Sequence, residues 1–441
     1  MNKIISVGIL MMASVASMAQ LTLDECKKSA IDHNVKMQKQ LLEVDNAELQ
    51  RREAFTNFFP QVSALGAAVK FDKPQVEMDM SAFVGAPVNL TMLEDGVIGA
   101  VNAQWPIFVG GQIVNGNRLA KLSYTVKQLQ LTQTQNEVSL TAEQYYWQVA
   151  SLQQKLSTLN KQAELLTSIV QDAQNAVDAG LANKNDLLQA QLQQNRVEVG
   201  ILTVEGNLKL CKLLLAQYCG LWSPTDSIFN ADNLVLASEI NKDTPLSSPD
   251  ELFVDPSSAL LATPEYALAS EGLKAQQLQY NMERGSHLPT VALGGSYSYT
   301  NLMRDDLGFG ENNKNTLAVY AMVSIPITDW WGGSYKMKRK KNDIRSSQLD
   351  LQEASQMLIV RMQSAYVNLC TAYQQVEVAS RSIDQASESL RLEHDYYQAG
   401  TSTMSDLLKA QSSLQQANDD FVDAWTAYQE RRLEYLQSTG R

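Results

Sequence analysis

The chain has 441 residues, 44% of them hydrophobic and 19% charged, which excludes both a disordered chain and an all-apolar membrane protein. Its formal net charge of -12 argues against a nucleic-acid partner, because phosphate binding needs clustered Lys and Arg. The basic run from Lys336 to Lys341 lies inside a helical pattern and reads as a solvated helix face or an anion-facing rim.

The first residues set the compartment. Met1-Asn2-Lys3 is a short basic start, Ile4 to Val15 is apolar, and Ser17-Met18-Ala19 has the small-x-small spacing of a signal-peptidase site. Residues 1–19 therefore read as a signal peptide, with Gln20 opening the mature chain. No Cys stands at the cleavage point, so lipid attachment there is not expected. After the signal no apolar run is long enough for a spanning helix. An exported soluble protein or a β-barrel remains.

The elements then follow in order. A small-residue strand is expected at about 61–75, a polar loop from Val76 to Gly96, and a second strand at about 97–107, where Val101, Ala103, Trp105 and Ile107 oppose Asn102 and Gln104. From Gln112 to Val177 there is no Pro and no Gly beyond Gly116. At about 1.5 Å per residue such a helix runs roughly 100 Å, far beyond the needs of a globular core. Its apolar positions are Val138, Ala142, Tyr145, Val149, Leu152, Leu156, Leu159, Ala163, Leu166, Val170, Ala173 and Val177, in unbroken alternating steps of four and three. That 3.5-residue period means left-handed coiled-coil packing. Gly180 closes the helix where a left-handed residue is wanted. A return helix carries the seam Leu187, Ala190, Gln194, Val197, Ile201, Val204, Leu208 and Cys211, so a helical hairpin spans about 112–220.

The pattern recurs after a linker at 221–262 that is rich in Pro, Ser and Asp. Phe59-Pro60-Gln61-Val62 corresponds to Leu288-Pro289-Thr290-Val291, and Asp186-Leu187-Leu188-Gln189-Ala190-Gln191 corresponds to Asp406-Leu407-Leu408-Lys409-Ala410-Gln411 at an offset of 220. Adding 220 to the first seam gives Leu358 through Tyr397, with Glu393 the only polar member. Gly400 matches Gly180, and Leu407 to Tyr428 form the second return seam. Asn185 and Ser405, each before an Asp, suit the start of a return helix. The fold class is thus mainly α with a small transmembrane β-barrel part: a first repeat at 20–220, and a second at 263–441 with strands at about 289–300 and 316–327 and a hairpin at about 334–438.

Four strands cannot close a barrel, and an open edge in lipid leaves backbone groups unpaired, so several chains must share one barrel. Three chains would supply twelve strands. The loops Val76 to Gly96 and Asn301 to Asn315 would then face outside the cell. The four cysteines, Cys26, Cys211, Cys219 and Cys370, form no spacing framework, and Cys211 reads as a small buried hydrophobe on the return seam. His33, His287 and His394 fall in helical patterns far apart, with no zinc spacing, nucleophile elbow or phosphate loop. No enzyme and no cofactor is expected.

At this point the chain resembles the TolC-like outer-membrane efflux family. The resemblance rests on the doubled strand and hairpin layout, on Pro106-Ile107-Phe108 before Gly110-Gly111, and on the two Gly turns followed six residues later by Asp. It implies a trimeric α/β channel-tunnel in the cell outer membrane, with tandem strand pairs and long coiled-coil hairpins and a helical tunnel in the periplasm. The linker would contribute to a belt around the tunnel. The implied role is a passive, gated exit duct of a tripartite efflux or type I secretion system, exporting small molecules or proteins. The implied partners are a homotrimer, a periplasmic adaptor protein, an inner-membrane RND or ABC transporter and outer-membrane lipid. The hairpin tips, Gly180, Leu181, Ala182, Gly400, Thr401 and Ser402, would meet the adaptor. Asp186 and Tyr397 match residues with which the family ties its coils, Ser402 stands where an Arg is usual, Asp406 matches an acidic entrance ring, and Lys409 would weaken that ring. Asp186 and Asp406 equally suit helix capping, and Tyr397 equally suits the seam. The rival reading is a periplasmic coiled-coil adaptor or structural protein, which would carry one hairpin rather than two.

Overall fold

The computed structural model describes residues 20–70, 72, 76–79, 89–92, 96–222, 234–237, 240–242, 244–301, 314–327 and 329–441. The expected signal segment lies outside these residues, as do the centres of both expected loops, 80–88 and 302–313, and 223–233 of the linker. The elements are α1 (Leu23–His33), α2 (Val35–Thr56), β1 (Gln61–Val69), β2 (Val76–Asp79), β3 (Asn89–Met92), β4 (Gly96–Val109), α3 (Gln112–Asp178) and α4 (Lys184–Tyr218). There follow α5 (Pro249–Leu252), α6 (Pro256–Ala259), α7 (Pro264–Ser286), β5 (Thr290–Asn301), β6 (Lys314–Ser324), α8 (Asp329–Gln398) and α9 (Met404–Ser438). No described helix is long and apolar enough to cross a membrane.

The chain divides into two compact units. One comprises Glu43–Leu129 and Leu268–Glu353. Its centre is a four-stranded antiparallel sheet in the order β1-β4-β5-β6. The alternation of small and apolar residues sets the register, with Gln61 opposite Gln104, Ala103 opposite Gly295 and Gly295 opposite Val319. The β4–β5 ladder slips between Pro106 and Phe108, leaving Ile107 as a bulge, because Pro106 has no N–H to donate. Four expectations shift here. The fourth strand ends at Ser324 rather than near Ile327, since Pro326 cannot continue a ladder. Part of the expected loop after Val76 is a short ribbon, with Val76 opposite Met92. The second long helix starts at Asp329, before Gly332-Gly333 rather than after them. His287 lies just past α7, not in a helix.

Strand meets helix at a close approach of backbone. Gly110 and Gly111 have φ of 57° and 79°, and a Cβ on Gly110 would stand 1.9 Å from the Gly285 carbonyl oxygen. Only glycine fits both the left-handed conformation and the contact. Trp105 Nε1 donates to the Phe58 carbonyl at 2.9 Å, tying the end of α2 to β4.

The other unit comprises Met1–Leu42 as far as described, Gln130–Ala267 and Ala354–Arg441. Here the 3.5-residue period decides what is buried. On α8, Met362, Ala365, Leu369, Ala372, Val376 and Ala379 are buried, all on the expected seam. On α3, Val138, Ala142, Val149, Leu166 and Ala173 are buried as expected, but so are Glu143, Tyr146, Trp147, Ala150 and Ile169. This helix therefore packs on two faces, whereas α8 buries one. The second face is marked by Trp147 edge-on to Trp425, with ring centroids 4.9 Å apart. Glu143, only 2% exposed, forms an ion pair with Lys27 of α1 and accepts from Trp147 Nε1 at 3.2 Å, so its charge is compensated.

The described part of the linker is stitched down by tyrosines of the long helices. Tyr428 Oη donates to the Ser247 carbonyl at 2.6 Å, and Tyr435 Oη accepts from the Val254 amide at 3.0 Å. Tyr366 Oη donates to Asp250 Oδ1 at 3.1 Å. Leu369 is fully buried on the seam, so Leu369→Ala should cost about 2–5 kcal/mol. A thermal melt of the detergent-solubilised protein that matches wild type would contradict that packing.

Candidate functional site at the hairpin turns

Both long hairpins reverse through the same backbone device. In the first, Gly180 has φ 73°, its N–H donates to Val177 O at 3.0 Å, and Leu181 N–H donates to Ala176 O at 2.8 Å. In the second, Gly400 has φ 72°, its N–H donates to Tyr397 O at 3.0 Å, and Thr401 N–H donates to Tyr396 O at 2.9 Å. This is the six-to-one closure that satisfies the last carbonyls of a helix. Each turn hands over to a return helix of 35 residues.

The caps are not where the sequence placed them. The return helices start at Lys184 and Met404, one residue before Asn185 and Ser405, with Asn183 and Thr403 at the cap positions. Asn183 makes no side-chain cap bond, whereas Thr403 Oγ1 accepts from the Asp406 amide at 3.2 Å and donates to Asp406 Oδ2 at 2.6 Å. Asp406 thus closes a reciprocal cap. That bond, with the Lys409 ammonium next, holds its carboxyl below the usual carboxylate range. Lys409 Nζ lies 3.3 Å from Asp406 Oδ1. Both groups are exposed, so this pair is weak and screened by salt.

Ser402 donates to Glu393 Oε2 at 2.6 Å. Glu393 was the single polar residue on the second seam, and its partner is the turn itself. Tyr397 is half-buried. Burial raises its hydroxyl above the ordinary tyrosine range, and the Asp186 and then Asp172 carboxylates push it the same way. Asp186 and Tyr397 are therefore brought within electrostatic range, although no hydrogen bond between them is among those described. Beneath the turns lies one apolar cluster of Leu166, Ile169, Ala173, Leu187, Ala190, Val197, Met404 and Leu407, with Tyr397 packed against it. Above it Leu181 is 85% exposed. Gly180, Ala182 and Thr401 belong to the turns and carry no charge.

Sequence reasoning missed Glu393, Asp172 and Thr403 as participants. Glu393 was visible as the lone exception to the seam, and Thr403 as a hydroxyl residue three before an acid. Asp172 had no signal, since only folding brings it near Tyr397. Among the described residues no group of His, Cys, Asp and Glu could hold a metal ion.

A family model described as outer membrane efflux protein matches residues 27–221 and 256–441, and the chain belongs to that family. It is an outer-membrane protein, an exit duct of the efflux or secretion kind with a periplasmic tunnel. It is 24% identical over 352 residues to protein CyaE of Bordetella pertussis, covering 79% of this chain and 72% of CyaE. It is 21% identical over 319 residues to outer membrane protein TolC of Escherichia coli, a match spanning 69% of this chain and 62% of TolC. Its fold matches the outer membrane protein VceC of Vibrio cholerae with a TM-score of 0.74, at 15% identity, over 95% of this chain and 96% of VceC. The rival reading as a periplasmic adaptor gives way to the duct.

The cap at Thr403 carries a pH dependence. Because the folded carboxyl of Asp406 titrates below its unfolded value, its stabilisation is complete above the ordinary carboxylate range and is lost as pH falls through the depressed value. Thr403→Ala should destabilise α9 by about 1 kcal/mol at neutral pH. The loss should shrink as pH falls from roughly 4 towards the depressed value, where acid opens the cap in wild type as well. Hydrogen exchange of the 404–408 amides at the two pH values reads both effects. Equal exchange in variant and wild type at neutral pH would remove the cap from the account.

Proposed function

We propose that three copies of this chain assemble into one duct through which cargo passes without chemistry. The observation that carries the reading is a pair of unpartnered helix stripes. On α4, Leu188, Leu192, Val199 and Leu202 are exposed, and on α8, Met357, Val360, Val367 and Val378 are exposed. Both sets keep the half-heptad spacing of a second seam. The stripes differ, so joining one to the other is a heterologous contact, the kind that closes into a ring. The sheet makes the same demand, with β1 and β6 at its open edges. Likeness to TolC-like channels supports three as the number, giving twelve strands and a twelve-helix tunnel. The chain is then a tandem duplication of 20–220 and 263–441 about the 221–262 linker, which contributes to the belt.

The duct works with a periplasmic adaptor and an inner-membrane RND or ABC transporter. The adaptor meets the turns at Gly180, Leu181, Ala182, Gly400, Thr401 and Ser402, where exposed Leu181 offers an apolar contact. The entrance is set by Asp186, Tyr397, Ser402, Asp406 and Lys409. Ser402 is bonded to Glu393 and Asp406 is paired with Lys409, so the acids of the second hairpin's turn already have partners within that hairpin. Resting closure then depends on Asp186 and Tyr397. Small molecules or proteins are the cargo class.

Two measurements test this reading. The detergent-extracted protein should be a heat-modifiable outer-membrane trimer by detergent-corrected light scattering, and a monomer would sink the shared barrel. Asp186→Ala with Tyr397→Phe should raise conductance several-fold in planar bilayers. Unchanged conductance would remove the gate and leave the fold standing.

A further inference from the structure

Three of the four cysteines are buried, and two of them meet. Cys26 Sγ on α1 lies 3.0 Å from Cys219 Sγ at the end of α4. Both side chains are fully excluded from solvent. That separation is inside the contact distance of two sulfur atoms and about 1 Å beyond an S–S bond. The backbones around the pair are already fixed. Ser29 Oγ donates to the Cys219 carbonyl at 2.7 Å, and Asn34 Nδ2 donates to the Tyr218 carbonyl at 3.1 Å. Gly220, at φ 66°, sits so close to His33 that a Cβ would lie 2.3 Å from the His33 Cβ. Three contacts from α1 and its C-cap thus hold the two sulfurs in register.

We propose that Cys26 and Cys219 form a structural disulfide in the exported protein, locking α1 to the end of the first hairpin. The proposal rests on the outer-membrane location, because the compartment crossed on the way there favours oxidation. Two thiols become one S–S bond, releasing two protons and passing two electrons to the disulfide of an envelope thiol oxidoreductase, which is left as a dithiol. The reaction belongs to folding rather than to the finished duct. In the packed state the hydrogen bond with Cys219 and then burial raise the Cys26 thiol far above its ordinary range, which suppresses the thiolate that exchange requires. Cys211 and Cys370 have no such partner: Cys211 is buried on the return seam with its thiol raised by burial, and Cys370 lies on α8. The bond would close a loop of nearly half the chain around the first repeat, which is where cross-links restrict the unfolded state most.

The test uses the full chain made with its leader. Thiols are blocked with N-ethylmaleimide at lysis, and the envelope protein is denatured and mapped by mass spectrometry with and without reductant. Two labelled cysteines, Cys211 and Cys370, are expected without reductant, together with a linked peptide pair carrying Cys26 and Cys219. Reductant should lower the thermal midpoint of wild type by several degrees and leave the Cys26→Ala/Cys219→Ala variant unmoved. The reduced full chain, equilibrated in a glutathione redox buffer in detergent, should re-form the same linked pair. Four labelled cysteines in membrane-inserted protein overturn the bond and leave the duct standing. A bond in a protein that never reaches the outer membrane upholds the bond and overturns the duct.

Discussion

Hydrocarbon offers no hydrogen bonds, and a strand at the rim of a sheet has a full row of backbone groups that need them. The sheet of this chain runs β1-β4-β5-β6 and stops at two rims. In water the cost would be small. In a bilayer each unpaired group costs several kcal/mol, so the sheet is incomplete as one chain and complete only as part of a closed barrel. The free stripes on α4 and α8 are the helical counterpart of those rims. Each unit, taken by itself, leaves an unpaired edge: strand rims in one, apolar helix stripes in the other.

Within the helical unit, apolar packing does the bulk of the work, and two acidic side chains on the long helices find partners from other segments. Glu143 is buried beside Lys27 and the Trp147 indole. Glu393 interrupts a seam and is met by Ser402. These two exceptions to the apolar pattern mark places where a second segment is held: α1 in one case, the hairpin turn in the other. The first turn's exposed apolar feature is Leu181.

Much of this was legible from period alone. Steps of four and three predicted every position from Met362 to Ala379 that α8 buries, while Leu358 and the seam beyond Ala379 are half-buried, and the left-handed glycines at Gly180 and Gly400 stand where the spacing put them. Period could not show that α3 buries a second face, because Tyr146, Trp147 and Ile169 lie off the first seam and their role depends on which helix arrives there. Nor could it place the caps, since Asn185 and Ser405 are as suitable in composition as Asn183 and Thr403, and the choice falls to where the turn ends. The Cys26–Cys219 contact joins residues 193 apart and had no local signal. Asp172 was hidden for the same reason.

The glycine contact between Gly110 and Gly285 has a consequence for how the two kinds of element are phased. Side chains on a strand alternate with every residue, while those on a helix advance by about 100°. A junction two residues long between Val109 and Gln112, clamped backbone to backbone, transmits the parity of β4 directly into the azimuth of α3. One inserted residue would invert the face that β4 presents or turn the start of α3 by about 100°. The clamp at Gly110 therefore acts as a phase lock: neither an odd nor an even change of length leaves both periods in place, because two residues restore the strand and still rotate the helix by about 200°.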